Sequence, residues 1–248
     1  MDIDYIKFAN EMNKAFYDKV HDSFSDTRQS SWPGWKKLAS VLRANDIPHV
    51  NCVDLGCGNM RFADFLSNQE SLELCSYLGV DSCKELVPKN RRGNFLAADI
   101  IGALVESADS TNHVGKDFHL KEANLVSCFG VMHHVPTPEL RSAFLNWVLE
   151  SMRPGALAAI SFWHFMEDER IAKKATSITK SSPVSLQDGD YLLGWKETEG
   201  VHRLCHNFSK TELDALVEDI SHQANCIARY RADGKGGQLN TYLVLQRL

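Results

Sequence analysis

The sequence predicts an α/β fold: a mostly parallel sheet with helices on both faces, an antiparallel C-terminal hairpin and an N-terminal helical lid. Three observations carry this. Short apolar runs alternate with helical patterns from Val50 to Phe162, as in strands joined by crossovers. The last two strand-like runs, Ala224 to Arg231 and Leu239 to Leu245, are separated only by a turn holding Gly234, Gly236 and Gly237. That turn is too short for a crossover helix, so the two runs must pair antiparallel. The first strand-like run ends in Asp54-Leu55 and passes straight into Gly56-Cys57-Gly58, which brings bare main chain to a strand's carboxyl end.

Taken in order, apolar side chains at Tyr5, Phe8, Met12 and Phe16 repeat at helical spacing, which predicts an amphipathic helix over Tyr5 to Val20. His21 to Trp35 has little periodicity and mixes aromatic with cationic groups. A helix resumes over Lys36 to Arg43 and stops before Pro48. Val50 to Leu55, Ser76 to Val80, Phe95 to Ala98, Asn124 to Phe129 and Ala156 to Phe162 read as parallel strands. Arg61 to Ser67 starts the helix after the first of these, and Thr137-Pro138 starts the helix after the fourth. Residues 100–122 read as a polar, poorly periodic connection, and Glu167 to Glu199 as a long polar interval. Ser209-Lys210-Thr211-Glu212 is a capping box opening a helix with Leu213, Leu216, Val217 and Ile220 on its apolar face.

Composition narrows the class. The 248 residues, 44% of them hydrophobic, can bury one α/β domain with a small appendage. No apolar run approaches the ~20 residues that span a bilayer, and the chain starts with Asp2 and Asp4 instead of a basic leader. A soluble, cytoplasmic protein without membrane contact is expected. The seven cysteines are odd in number and sit mostly in apolar strand-like stretches, pointing to free thiols. No Cys-x-x-Cys occurs, and His202, Cys205 and His206 lack a second ligand pair, so no metal is expected. Net charge is −5, spread so that no segment is a basic arm: residues 1–49 carry seven basic and seven acidic side chains, 50–164 nine and thirteen, 165–248 eleven and twelve. This balance counts against unaided nucleic-acid binding, in which phosphate contacts supply most of the affinity.

The glycine loop distinguishes two kinds of ligand. A dinucleotide fingerprint needs a third glycine where this chain has Arg61. Asp54 before the glycines, Asp81 ending the second strand and Asp99 after the third instead suit an adenosyl ligand, Asp81 accepting both ribose hydroxyls and Asp99 the adenine amino group. A tight turn with helix-capping aspartates is the bland alternative. Asp54-Leu55-Gly56-Cys57-Gly58-Asn59, Asp81, Asp99, Val131-Met132-His133-His134 and Arg153-Pro154-Gly155 resemble the motif series of class I S-adenosylmethionine-dependent methyltransferases, over about residues 50–165. The resemblance implies a Rossmann-like, seven-stranded sheet, S-adenosyl-L-methionine as cofactor and S-adenosyl-L-homocysteine as product. It places Asp54, Gly56, Cys57, Gly58, Asn59, Arg61, Asp81, Ser82, Asp99, Ile100, Phe129, Gly130 and His134 at the cofactor.

A narrower resemblance rests on Tyr17, Phe24-Ser25-Asp26-Thr27-Arg28, Trp32-Pro33, the His133-His134 segment, Arg203-Leu204-Cys205-His206-Asn207-Phe208 and Glu212-Leu213, with Trp195 and Asn240-Thr241-Tyr242. These are similar to the eukaryotic wobble-uridine tRNA methyltransferases, which methylate the carboxylate of 5-carboxymethyluridine with a small zinc-binding activator subunit or fused to an AlkB-type domain. Departures are Met60 for a glycine, Ala156 for the second glycine after Pro154, Leu204-Cys205 for an aromatic pair, and the long 100–122 connection. The resemblance implies tRNA and a small activator subunit as partners, residues 1–48 as a helical lid, and 49–248 as the methyltransferase domain with an acceptor-side insertion at about 165–208.

A carboxylate is ionised at pH 7 and needs no base to attack a sulfonium methyl, so the task is alignment and desolvation. Arg28 and Arg203 are expected to anchor the anion, Trp32 to stack on a base and Trp163 to wall the pocket. His133 orients the acceptor or serves a hydroxyl acceptor as base, and His206 acts with Arg203. The competing readings pair Arg28 with Asp22 or Asp26, use Trp32-Pro33 to seal the lid, make His133 a hydrogen-bonded support, pack His134 over the cofactor, and leave His206 on an ordered loop. For the whole chain, the alternatives are a small-molecule O-methyltransferase, favoured by the acidic balance, and a non-catalytic partner subunit, which the intact glycine and acidic positions oppose.

Overall fold

Alternation along each central strand decides which side chains meet which layer of helices. In β1 (His49–Leu55), Val53 and Leu55 face one layer while Val50 and Cys52 face the other. The parallel neighbours keep step: Cys52 lies opposite Leu125 of β4 (Leu125–Cys128), which lies opposite Leu157 of β5 (Leu157–Trp163). Both faces are therefore apolar, as parallel strands covered on two sides require. A computed structural model of the protein describes residues 2–108, 118–182, 184–196 and 198–248. With β2 (Glu73–Asp81), β3 (Asn94–Ala97), β8 (Ala224–Ala232) and β9 (Asn240–Arg247), the strands form one seven-stranded sheet in the order β3-β2-β1-β4-β5-β9-β8. β9 pairs antiparallel with both β5 and β8 and is the one reversed strand of this sheet.

On one face, α5 (Pro138–Ser151) and α7 (Lys210–Asp219) set Phe144, Leu145, Val148, Leu213 and Leu216 against the sheet. Thr137 caps α5 through the amide of Leu140, and Ser209 caps α7 through that of Glu212. On the other face, α2 (Pro33–Ala44) and α3 (Arg61–Ser67) contribute Trp35, Leu38, Leu42, Phe62 and Phe65. Pro33 at the first helical position starts α2 before Lys36 because its missing amide proton is not needed there. Gly34 lets α2 lie on β9, since a Cβ there would come within 2.3 Å of the Tyr242 ring. Its amide donates to Asp233 at 3.0 Å, and the same carboxylate accepts from Tyr242 and Asn240.

Three stretches differ from expectation. The first helix, α1 (Ile3–Asp26), extends beyond Val20 because Thr27 closes it through the carbonyls of Phe24 and Ser25. Residues 100–122 are not simply a polar connection: α4 (Ile100–Ala108) starts on an Asp99 cap and buries Ile100, Ile101 and Leu104. Residues 109–117 of that stretch lie outside the described residues. The interval 167–199 holds α6 (Glu169–Lys180) and β6 (Asp190–Trp195), and β6 pairs antiparallel with β7 (Thr198–His206) in a separate two-stranded sheet. Leu192 and Leu204 of this sheet pack on Tyr5 and Ala9 of α1, an interface no local pattern announces. Among the described residues no helix is long and apolar enough to cross a membrane.

Gly34→Ala tests the clamp of α2 on the sheet. Overpacking at this contact is expected to cost about 1–3 kcal/mol, lowering Tm by roughly 3–10 °C for a chain of this size. Calorimetric unfolding measures it, and an unchanged Tm would mean that α2 can withdraw from Tyr242 freely.

Candidate active site

The carboxyl ends of β1, β2, β4 and β5 open onto a cavity of about 510 Å³, roofed by α1 and the segment that follows it. That volume is in the range of small-ligand sites. The amides of Gly56 and Cys57 bind the Val80 carbonyl at 2.7 and 3.1 Å, tying the loop to β2. Both glycines have positive φ, and a Cβ at Gly56 would strike Val131 at 2.1 Å whereas one at Gly58 would meet nothing within 4 Å. Gly58 therefore leaves open space where a ligand can approach the main chain. Asp81 stands beside it, one oxygen accepting from the Gly58 amide and the other from the Cys83 amide, both at 2.9 Å. Each oxygen keeps lone pairs for vicinal hydroxyls. Asp54 lies beneath the loop, where Ser127 at 2.6 Å and the Tyr77 hydroxyl donate to it. Burial pushes its carboxyl up to about 6 against these hydrogen bonds. Ser82, Ile100, Phe129 and Gly130 complete this half of the cavity.

Other residues expected at the cofactor line the cavity with their side chains already engaged. Asp99 caps α4 through Gly102 at 2.9 Å and accepts from Asn10 at 2.8 Å and Lys14 at 3.1 Å, so its carboxylate also ties α1 down. Asn59 donates to the carbonyl of Arg28 at 3.0 Å and to Ser25 at 3.3 Å. Arg61, in the position of the third glycine, donates to the Ser30 carbonyl at 2.8 Å and lies over Trp32 and Trp35. Trp32 stacks on Trp35 of α2 and borders the cavity, so its indole both packs on that helix and lines the pocket.

The opposite half is cationic. Arg203, only 6% exposed, is ringed by Phe16, Tyr17, Phe24 and Trp163, and its Nη1 donates to the Tyr17 hydroxyl at 2.8 Å. Its Nε has no hydrogen-bond partner, and no carboxylate pairs with it among the described residues. Burial raises the Tyr17 pKa, so that partner is a neutral hydroxyl. Arg28 pairs with neither Asp22 nor Asp26: its guanidinium lies 3.6 Å from the centre of the Phe24 ring and 5.2 Å from that of Trp195. Burial, and then the charge of Arg203, pull Arg28 down to about 10, still protonated at neutral pH.

Two adjacent histidines differ in function. His134 accepts from the Tyr17 hydroxyl at Nε2, 2.9 Å, and donates from Nδ1 to the Leu204 carbonyl at 3.0 Å. A carbonyl only accepts, so the proton sits on Nδ1. His133 packs on Trp163 and leaves Nδ1 buried without a partner. Burial first, then His134 and the two arginines, hold His133 well below the usual histidine range, so it is neutral. The donor atoms of His133, His134 and Cys205 cluster within 4.8 Å of one another, but with both His134 nitrogens engaged and two guanidiniums nearby the cluster suits an anion, not a metal cation.

His206 corrects an expectation. It does not line the cavity or join Arg203: its ring nitrogens face Asp190 at 2.7 Å and Glu212 at 2.9 Å. Those carboxylates raise its pKa against the opposing effect of burial. Tyr5 donates to Asp190 at 2.6 Å and Arg141 pairs with Glu212 at 2.9 Å, so His206 is the centre of a brace joining α1, β6, α5 and α7. His164 is likewise turned aside, bonded to the Phe208 carbonyl and Thr241. Asn10, Asn13, Lys14, Asp233 and Asn240 line the cavity without having been singled out for chemistry. The polar residues 10, 13, 14 and 17 on one side of the first helix were the available signal.

The family pattern described as "Methyltransferase domain" matches residues 14–220. The chain belongs to this methyltransferase family. The class is S-adenosylmethionine-dependent, and the open space at Gly58 beside Asp81 fits that cofactor. A tRNA (carboxymethyluridine(34)-5-O)-methyltransferase of Schizosaccharomyces pombe is 25% identical, covering 86% of this chain and 89% of that one. A mouse protein of the same described activity is 28% identical over 74% of this chain, which spans only 24% of its length. An S-adenosylmethionine-dependent methyltransferase structure from Methanosarcina mazei shares the fold, with a TM-score of 0.58 and 17% identity over 84% of this chain and 97% of that one.

Asp81→Ala removes hydrogen bonds made with a charged acceptor, worth about 1.5–3 kcal/mol each. It is expected to weaken S-adenosylmethionine binding by roughly 10–100-fold in titration calorimetry; affinity within twofold of wild type would place the ribose elsewhere. Asp54 gives a pH test. Its folded pKa, about 6, exceeds the unfolded value near 4. The folded state therefore holds its proton longer, and stability present below pH ~4 is lost as pH rises through ~6. Relative to Asp54→Asn, the wild type should lose about 3 kcal/mol across that window in denaturant unfolding; parallel pH profiles would contradict the raised carboxyl.

Proposed function

We propose that this methyltransferase transfers the methyl group to a carboxylate oxygen, that of a 5-carboxymethyl group on the wobble uridine of tRNA. The observation that supports this most directly is Arg203: a buried guanidinium at the cavity wall with an unpartnered Nε and, among the described residues, no counter-ion. An isolated buried charge is costly, and neighbouring rings offset only part of that. An acceptor carboxylate between Arg203 and Arg28 would neutralise it. The names of the S. pombe and mouse relatives point to the same acceptor.

The cofactor supplies, when bound, a methyl group activated by its sulfonium charge. The protein's share is to hold the acceptor. Arg203 and Arg28 fix the carboxylate, Trp163 and Phe24 exclude water around it, and His133 offers a neutral ring nitrogen without adding charge. No residue needs to remove a proton, because the acceptor is already ionised. In this reading tRNA is the macromolecular partner, and a small activator subunit completes the enzyme.

Incubation with methyl-labelled cofactor and tRNA carrying the carboxymethyl group, with and without the activator, tests the assignment. Label should enter tRNA and leave as methanol in mild alkali, as an ester does. Label confined to low-mass acids would replace tRNA with a small-molecule acceptor. Arg203→Gln is expected to lower kcat/KM for the acceptor by about 100-fold, as for the loss of one partner of a buried charge pair, with cofactor affinity within about twofold. With His133 neutral throughout, and Asp54 already ionised above its pKa of about 6, kcat/KM should be level between pH ~7 and ~8.5. A histidine-like ascending limb in that range would assign a base to the reaction.

A further inference from the structure

A helix that merely covers a small sheet needs an apolar stripe on one side and mixed charge on the other. α6 has the first, but on its exposed side a single acid at the head, Glu169, stands against four cations. Ile171, Ala175 and Ile178 pack into the insertion. Arg170, Lys173, Lys174 and Lys180 are exposed, and they follow the helical repeat with Ser177 completing the stripe. The acids of this segment gather at the helix head, where Asp168 caps Ile171, Glu167 pairs with Arg231 and exposed Glu169 stands one turn before Lys173.

Some exposed cations elsewhere have carboxylates, as Lys14 with Asp99, Arg92 with Asp64, and Lys210 and Arg229 with Asp214, while Lys36, Lys121 and Lys235 have none among the described residues; what sets α6 apart is four cations on one helix. Among the described residues none of the four α6 cations has an ion-pair partner. Arg170 and Lys174 stand one turn apart as like charges, and Arg170 lies in the first turn at the positive end of the helix dipole. Both placements work against the helix alone and are relieved by an anion. α6 also packs on β6, whose partner β7 carries Arg203, so the cationic face belongs to the same insertion as the acceptor anchor.

We propose that the exposed face of α6 docks the phosphate backbone of the RNA whose modified base enters the cavity. The proposal rests on the RNA reading above and adds where the RNA lies. It accounts for phosphate binding by an acidic chain: the charge is concentrated on one face, although the totals for each segment are balanced or acidic.

The test compares wild type with the fourfold variant Arg170→Gln, Lys173→Gln, Lys174→Gln, Lys180→Gln, using fluorescently labelled tRNA over a range of salt concentrations. Each phosphate contact contributes about 0.7–0.9 to the slope of log affinity against log salt. The variant's slope should be shallower by about 3, and its affinity roughly 10–100-fold weaker near 100 mM salt. Unchanged Tm and S-adenosylhomocysteine affinity will show that fold and cofactor site are intact, and Lys→Arg changes at 173, 174 and 180 should retain binding. Wild-type affinity and slope in the fourfold variant would overturn the proposal while leaving the RNA reading in place. Absence of tRNA binding by the wild type at about 50 mM salt, without and with the activator, would overturn both. Weakened activator binding with an unchanged tRNA slope would assign this face to a protein and overturn it as an RNA surface.

Discussion

One chain of hydrogen bonds gives the cavity its shape: Arg203 to the Tyr17 hydroxyl, that hydroxyl to His134, and His134 to the carbonyl of Leu204. It joins α1, the turn after β4 and β7 of the two-stranded sheet. Each bond orients the next, because Arg203 can only donate and a carbonyl can only accept. Without it α1 would still have an apolar face to bury, but nothing would fix its rotation over the cavity. Asn13 strengthens the same seam by accepting from the Leu204 amide at 2.7 Å.

Within that frame charge is divided. Asp54, Asp81 and Asp99 stand at the ends of the first three strands, and Arg28 and Arg203 face them from the segment after α1 and from β7. A cationic methyl donor and an anionic acceptor would each find the opposite charge at its own end. The two histidines between them add none, because burial keeps both neutral. A reaction that joins opposite charges is favoured in a space with little water, where charges interact more strongly.

The sheet and the cofactor half were legible because their signals are local. A strand that runs into Gly56-Cys57-Gly58, or a Thr137-Pro138 helix start, carries its meaning within a few residues. α4 was obscured by Ile-Ile-Gly-Ala-Leu-Val, an apolar run without clear period, and by reading Asp99 only as a ligand when it also caps the helix. α6 and β6 were hidden for a different reason: they are buried by one another and by α1, so their partners lie far away in sequence. His206 was misplaced because its motif neighbour Arg203 points to the opposite side of β7, as strand residues an odd number apart must. Asp233 gave no signal at all, since its donors come from Gly34, Asn240 and Tyr242.

The reversal of β9 has a consequence for where the chain tolerates loss. A last strand running parallel to the others would end at the cavity margin; β9 instead begins there, with Asn240, Leu239 and Asp233 in the wall. A truncation just before Asn240 would thus open the pocket and also strip β5 of its neighbour. The edge then exposed, Leu-Ala-Ala-Ile-Ser-Phe-Trp, has no charge or proline to discourage strand addition. Strand β9 is in effect a guard against self-association, and a product lacking it would be recognised first by its insolubility.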